Sequence, residues 1–133
     1  MRSIKDIFRD YASFDADGKH VWGTDRESNH CYGDAYERIL KEPSMWPDPP
    51  YSIRKSVRLI LEVGVADGSS LRAWKEVFPN AQIVGMDLEW PGYGRDVIER
   101  VEFHIADVRV KAACERVAYN RKFDLIIDDA SHQ

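Results

Sequence analysis

The spacing of hydrophobic residues differs between the N-terminal third of the chain and the remainder. Within residues 3–14, four apolar side chains recur at helical spacing with charged residues between them, which predicts a short amphipathic helix. These are Ile4, Ile7, Phe8 and Tyr11. A polar stretch rich in glycine and aspartate is then typical of a loop, and residues 34–41 are predicted to form a second short helix. Four of the six prolines fall within residues 42–50, which excludes a helix or an interior strand there and predicts a stiff connector.

Beyond residue 56 the chain alternates short apolar runs with amphipathic stretches. Four runs rich in aliphatic or β-branched residues predict strands over residues 57–63, 81–86, 101–105 and 123–127. Helices are predicted over residues 69–78, with Ser69 as the N-cap, and over residues 108–119. Strands that alternate with helices pair in parallel through right-handed crossovers. The expected fold class is therefore α/β, with a Rossmann-like parallel sheet in residues 51–133 that follows a helical and loop segment in residues 1–50.

Composition narrows the possible classes of function. The chain has 133 residues, of which 44% are hydrophobic and 32% charged, a balance typical of one globular domain. Its formal net charge is −4, so we expect no general attraction to nucleic acid or to an anionic membrane. The apolar runs are too short to span a bilayer, and the charged N-terminus differs from a secretory signal. Cys31 and Cys114 lie far apart in the chain and are expected to be free thiols of a cytoplasmic protein.

A glycine-containing turn is predicted between the first strand of the sheet and the helix that follows it. The turn is Glu62-Val-Gly64-Val-Ala-Asp67-Gly68, and glycine there lets a ligand approach the backbone near the free N–H groups of the helix. Any turn from a strand to a helix favours glycine, so the motif alone leaves a purely structural role equally open. A nicotinamide-binding turn would carry another glycine where this chain has residues 65–67. The acidic Glu62 instead favours a ligand with a positive centre.

Two further carboxylates follow neighbouring strands. Asp87 closes the second predicted strand, about 20 residues beyond the turn, where a carboxylate can accept hydrogen bonds from ribose hydroxyls. Asp107 follows the third strand, where its side chain can meet the edge of an adenine. One aspartate at the end of a strand is usually a turn residue. Together with Glu62, however, these positions at three successive strand ends predict a nucleoside-binding crevice.

The fourth predicted strand ends in Asp128-Asp129-Ala-Ser-His132. One of the two adjacent carboxylates can bind Mg²⁺, a cation that prefers oxygen ligands. His132 can act as a general base for a substrate hydroxyl, because imidazole titrates near neutrality. The alternative is a polar turn with a solvated histidine. His104 lies inside a predicted strand, where a structural role is favoured over metal binding.

Three segments resemble class I S-adenosylmethionine-dependent methyltransferases, and in particular the macrolide-sugar O-methyltransferase family of mycinamicin and tylosin tailoring enzymes. They are WGTDRESNHCYGDAYERIL, LILEVGVADGSSLRAWKEVFPNAQIVGMDL and FDLIIDDASH. The resemblance implies that S-adenosylmethionine is the cofactor, held by Gly64 and Asp87. It also implies that Asp129 binds Mg²⁺ and that His132 is the base for methylation of a hydroxyl on a sugar or other small molecule.

The resemblance also defines a wider candidate site. The residues assigned to the cofactor are Glu62, Gly64, Val65, Asp67, Gly68, Ser69, Asp87, Leu88, Asp107 and Asp128. Those expected to line the mouth of the cofactor or acceptor site are Thr24, Asp25, Arg26, His30 and Tyr32. Two alternatives stay open. One is a non-catalytic module that binds the cofactor or nucleosides or serves in assembly, and the other is a nicotinamide-dependent Rossmann domain.

Chains of the resembled family continue past the D-D-x-S-H motif with further strands and a later acidic pair of the metal site, whereas this sequence ends at Gln133. We therefore expect weak Mg²⁺ binding and a fourth strand, apolar on both faces, at an edge of the sheet. An uncovered edge recruits another chain. The expectation is a homodimer or larger assembly through that strand, or its cover by the segment before Pro43.

Overall fold

A parallel four-stranded sheet organises the part of the chain that contains the predicted site. The computed structural model describes residues 2–14, 20–23, 33–40, 50–65, 68–91 and 97–129. The elements follow in the order α1 (Ile4–Asp10), β1 (Ala12–Phe14), β2 (His20–Gly23), α2 (Gly33–Leu40), α3 (Pro50–Ser56), β3 (Leu59–Val63), α4 (Ser69–Val77), β4 (Gln82–Asp87), β5 (Val101–Ile105), α5 (Lys111–Ala118) and β6 (Leu125–Asp128).

The strand order confirms the predicted Rossmann-like α/β class. The four strands lie in the order β5-β4-β3-β6, and each neighbouring pair is parallel. β4 and β6 lie on opposite sides of β3, so the chain reverses the direction in which it adds strands after β5. In open α/β sheets, ligands bind outside the carboxyl ends of the strands at such a switch point. The topology therefore places the candidate site beyond the ends of β3, β4 and β6.

Helices cover both faces of the sheet because β3 and β4 are apolar on both sides. On one face, Trp74 of α4 lies in a buried cluster with Ile60 and Ile83 of the sheet. Phe8 of α1 also joins this cluster and packs edge-on against Trp74, with ring centroids 4.8 Å apart. On the other face, Val117 of α5 lies in a second buried cluster with residues of β3 and β4. The N-terminal helices thus share the hydrophobic core of the sheet.

The N-terminal third differs from its prediction in three ways. The first helix ends at Asp10, and residues 12–14 form β1, which pairs with β2 in an antiparallel hairpin. The stretch expected to be a loop therefore contains β2. The connector predicted up to residue 50 ends earlier, because Pro50 begins α3. Proline is favoured in the first turn of a helix, where its missing N–H has no intrahelical partner.

Most predicted elements of the sheet domain are confirmed with small shifts at their ends. The strand at residues 101–105 is confirmed without change, whereas the helix predicted over residues 108–119 is shorter. β3 begins at Leu59, where Asp124 Oδ2 accepts hydrogen bonds from the N–H groups of Arg58 and Leu59 at 2.8 and 3.0 Å. This carboxylate joins the start of β3 to the residue before β6. The prediction of Ser69 as N-cap is wrong, because Gly68 takes that position in α4.

His104 has the structural role that its position in a strand predicts. Its Nε2 lies 2.6 Å from Glu102 Oε2, and the same oxygen accepts a hydrogen bond from Arg121 at 2.6 Å. Burial acts to raise the pKa of Glu102, but the hydrogen bonds from His104 and Arg121 together lower the pKa below its ordinary value of 4.5. This ion-paired cluster joins β5 to the segment between α5 and β6.

Among the helices that the structure describes, none has the length and apolar character needed to cross a membrane.

Candidate functional site

The chain leaves β3 through a turn that only glycine accommodates easily. Gly64 and Gly68 have φ values of 86° and 87°, in the left-handed region where other residues are strained. The N–H of Gly64 donates to the carbonyl of Met86 at 2.9 Å, so the turn begins in contact with the end of β4. Gly68 then leads directly into α4. Both glycines of the motif therefore have a backbone geometry that favours glycine, while the predicted approach of a ligand to them stays untested.

Asp87 connects this turn to β4. Its Oδ2 accepts a hydrogen bond from the N–H of Val65 at 2.8 Å, and its Oδ1 accepts one from the N–H of Leu88 at 2.7 Å. The prediction that Asp87 closes its strand is confirmed. Asp87 thus holds the glycine turn in place, and its contact with a ligand stays a prediction.

Glu62 lies below the turn and is fully buried. Its Oε2 accepts a hydrogen bond from Ser70 Oγ at 2.7 Å, and its Oε1 lies 3.4 Å from Trp74 Nε1. Both donors belong to α4, so the carboxylate fixes the first turns of that helix against β3. This placement gives Glu62 a positioning role, while the predicted attraction to a positively charged ligand stays untested.

The Asp107 carboxylate lies beyond the end of β5 in contact with Arg109. The guanidinium of Arg109 donates to both carboxylate oxygens, and its backbone N–H donates to Oδ1. These hydrogen bonds lower the pKa of Asp107 below its ordinary value. Leu88, which follows β4, has 57% of its surface exposed. An acidic acceptor and an exposed apolar side chain thus follow the ends of two adjacent strands, and their contact with an adenine stays a prediction.

Asp128 and Asp129 lie at the end of β6, beside β3. The N–H of Asp129 donates to the carbonyl of Val63 at 2.7 Å, which extends the pairing of the two strands by one residue. Both aspartates are exposed. Within the described part of the chain, no group of three or more histidine, cysteine, aspartate or glutamate residues is arranged to hold a metal ion. Carboxylates suit Mg²⁺ by their chemistry, but those described here do not by themselves make a complete site.

Comparison with solved structures finds a related arrangement. The chain is similar to the MycE methyltransferase from the mycinamycin biosynthetic pathway, solved in complex with Mg and SAH, with 28% identity over 80% of this chain and a TM-score of 0.58. The chain resembles a class I methyltransferase. A second structure of MycE, with Mg, SAH and mycinamycin VI, matches at 31% identity over 72% of this chain and a TM-score of 0.49.

The similarity covers a limited part of the solved enzyme. The chain spans 27% of the MycE chain in the first structure and 28% in the second. No protein-family model matches the sequence, and no curated protein matches it.

Seven residues of the predicted site lie outside the part of the chain that the structure describes. They are Thr24, Asp25, Arg26, His30, Tyr32, Asp67 and His132. Their roles stay predictions. The remaining site residues fall at the ends of β3, β4, β5 and β6 or at the start of α4. The topology therefore places the described candidates along one edge of the sheet.

Two features of the site escaped the sequence analysis. A Cβ atom added at Gly85 in β4 would lie only 3.1 Å from side-chain atoms of Leu71 and Val65, so this glycine permits close packing beneath the turn. Arg109 was overlooked although it stands two residues after Asp107, a spacing that allows a local ion pair. The signal for Arg109 was thus present in the sequence, whereas the need for Gly85 arises from packing between distant residues.

Proposed function

We propose that this chain binds S-adenosylmethionine at the carboxyl edge of its sheet and takes part in methyl transfer to a hydroxyl oxygen. The observation that supports this most directly is the bond from the Val65 N–H to the Asp87 carboxylate, which couples the glycine turn to the strand end expected to meet a ribose. The similarity to MycE, solved with SAH, supports the same ligand class.

The proposed binding mode assigns each part of the cofactor to a described group. The amino acid portion approaches the backbone at Gly64 and Gly68, whose lack of a side chain leaves space. The ribose hydroxyls donate to Asp87, and the adenine lies between Leu88 and the carboxylate of Asp107. Buried donors and acceptors in such a site need partners, so loss of one partner costs binding free energy.

The cofactor supplies an electrophilic methyl group on a positively charged sulfur. The acceptor oxygen forms a bond to that methyl carbon while the carbon–sulfur bond breaks and its electron pair returns to sulfur. The hydroxyl proton passes to a base, for which we propose His132. The chain's own contribution is to hold donor and acceptor aligned and close. The proposed acceptor is a hydroxyl on a sugar or other small molecule, in line with the pathway named for MycE.

The metal part of the proposal is narrower. Asp129 is the proposed Mg²⁺ ligand, and MycE was solved with Mg. Because the described residues do not assemble three ligands, no step is assigned to a metal. A Mg²⁺ titration of the chain should give only weak, roughly millimolar binding, since one or two carboxylates make an incomplete site. Tight micromolar binding would show that further groups complete it.

Calorimetric titration with S-adenosylhomocysteine (SAH) and with NAD tests the cofactor. We expect SAH to bind and NAD not to bind. Asp87→Ala should weaken SAH binding by about 1–3 kcal/mol, because ribose donors lose their acceptor. Glu89→Ala, which removes an exposed carboxylate two residues away, is the matched control and should leave the affinity unchanged. Binding of NAD but not SAH would refute the proposal, and equal affinity of the Asp87 variant would remove that residue from the site.

The second candidate function is a non-catalytic binding module, which is favoured by the limited share of MycE that the chain covers. A turnover assay distinguishes such a module from an enzyme. Incubation with S-adenosylmethionine and a panel of hydroxylated acceptors should release SAH in proportion to methylated product. Binding without product formation for every acceptor would favour the module.

We further propose that the protein is cytoplasmic and self-associates through β6. In the described sheet β6 pairs with β3 alone, and Ile126 in its middle has 60% of its surface exposed. An exposed apolar edge strand favours pairing with a second copy. Light scattering at tens of micromolar should show a dimer that Ile126→Lys weakens. A monomer at that concentration would contradict self-association and favour cover by the N-terminal segment.

A further inference from the structure

The carboxylate of Asp107 makes all of its described hydrogen bonds to one residue. Arg109 Nε lies 2.9 Å from Oδ1 and 3.3 Å from Oδ2, and Arg109 Nη2 lies 2.9 Å from Oδ2. The backbone N–H of Arg109 donates to Oδ1 at 2.9 Å. The side chain of Asp107 is 28% exposed and that of Arg109 is 77% exposed. The guanidinium therefore contacts both oxygens of the acceptor that our proposed function assigns to adenine.

The backbone bond and the side-chain bonds have different consequences. The bond from the Arg109 N–H holds the orientation of the carboxylate, and every residue except proline could supply it at that position. The guanidinium is thus not needed to orient Asp107. Its Nε and Nη2 atoms instead donate hydrogen bonds to both carboxylate oxygens. One of these oxygens, Oδ2, accepts no backbone hydrogen bond among the described residues.

We propose, on the basis of the cofactor site above, that the Arg109 side chain competes with the adenine amino group for the Asp107 carboxylate. An exposed ion pair of this kind is weak and readily exchanged, because water and salt screen it and both side chains lose freedom when they pair. Cofactor binding displaces the guanidinium, which moves into solvent. Arg109 thereby lowers the affinity for ligands that need the carboxylate and leaves the affinity for other ligands unchanged.

This competition depends on the chemistry of the base. The exocyclic amino group of adenine donates a hydrogen bond and so gains from the carboxylate once Arg109 has moved. Hypoxanthine carries a carbonyl oxygen at the same place, which cannot donate to Asp107. Arg109 therefore reduces the preference for adenine over hypoxanthine that Asp107 would confer alone.

Calorimetric titration of the full chain with SAH tests the proposal. Arg109→Ala should bind SAH about twofold to fivefold more tightly than the unmodified chain, the range expected for removal of a weak exposed pair. The inosine analogue of SAH should bind both proteins equally. Arg116→Ala removes an exposed cation from α5 and is the matched control for net charge, so its affinity should not change. A higher salt concentration should reduce the difference in SAH affinity between Arg109→Ala and the unmodified chain, because salt screens the ion pair.

A double-mutant cycle with Asp107→Asn completes the test. In that background Arg109→Ala should no longer tighten SAH binding, because the charged acceptor is absent. Weaker SAH binding by Arg109→Ala would overturn competition and indicate a positioning role. Equal tightening in the Asp107→Asn background, or by Arg116→Ala, would also overturn competition, because the effect would then not depend on the pair between Arg109 and Asp107. If the unmodified chain binds no SAH, the proposed function itself fails. If it binds SAH and Arg109→Ala does not tighten binding, only this inference fails.

Discussion

Gly85→Ala is the most informative perturbation of the packing beneath the glycine turn. The added Cβ would lie 3.1 Å from Leu71 Cδ1, 3.2 Å from Leu71 Cδ2 and 3.1 Å from Val65 Cγ2. Both neighbours are almost completely buried, so they have little room to move. Each must nevertheless shift by a few tenths of an ångström to restore ordinary contact. Val65 donates to Asp87, and its displacement therefore also disturbs the proposed cofactor site.

The expected loss of stability follows from two opposing effects. Forcing one extra methyl group into a well-packed core costs about 1–3 kcal/mol. Replacing glycine by alanine also removes freedom from the unfolded chain, which stabilises the protein by about 0.4–1 kcal/mol. The cost of overpacking should exceed the gain from the restricted unfolded chain, so the free energy of unfolding should fall by about 0.5–2 kcal/mol. The affinity for SAH should fall as well.

Urea unfolding monitored by tryptophan fluorescence measures the first effect, since Trp74 lies in the same buried cluster as Leu71. Leu71→Ala supplies the control, because it removes the two methyl groups that the new Cβ would meet. Alone it should cost about 2–5 kcal/mol. Combined with Gly85→Ala it should cost less than the sum of the two single changes, because the new methyl occupies vacated space. Additive costs, or a Gly85→Ala protein as stable as the original, would refute this account of the glycine.

Three further predictions concern carboxylates that accept hydrogen bonds in the folded chain. Glu62→Ala should lower the free energy of unfolding by about 2–4 kcal/mol because two buried donors lose their acceptor, whereas Glu62→Gln should lose less; urea unfolding that ranks them equally would contradict the role of the acceptor. Asp124→Ala should lower the free energy of unfolding by about 0.5–2 kcal/mol in the same assay. Asp124→Leu should lower it by a similar amount, since neither alanine nor leucine can accept the hydrogen bonds at the start of β3. Because the pKa of Glu102 is lower in the folded chain than its ordinary value of 4.5, the ionised carboxylate stabilises the fold at pH values above 4.5. That contribution is lost as the pH falls through the lower pKa of the folded state. The stability difference between the original chain and Glu102→Gln should therefore be largest near neutral pH and shrink on acidification. A difference independent of pH would exclude the charge of the Glu102 carboxylate, which pairs with Arg121, as its source.

The sequence determined the sheet and the line of candidate residues along its edge. Apolar runs and amphipathic stretches report burial on both faces of a strand or on one face of a helix, and each signal spans only a few neighbouring residues. The four parallel strands were therefore predictable, as was the position of Asp87 at the end of β4. The pairing of β1 with β2 was not, because two strands of three and four residues contain too few positions for a period to show.

Tertiary structure alone decided which of these residues touch. The Val65 N–H reaches Asp87 across 22 positions of the sequence, and Glu62 meets Trp74 because α4 packs back onto β3. The need for glycine at position 85 likewise arises from a helix and a turn that approach the same strand from elsewhere in the chain. Such contacts follow from strand register and helix packing, which bring together side chains whose local sequence patterns are independent of one another. Periodicity and the carboxylates at the strand ends therefore predicted where the candidate site lies, and packing between distant segments set the hydrogen bonds around it.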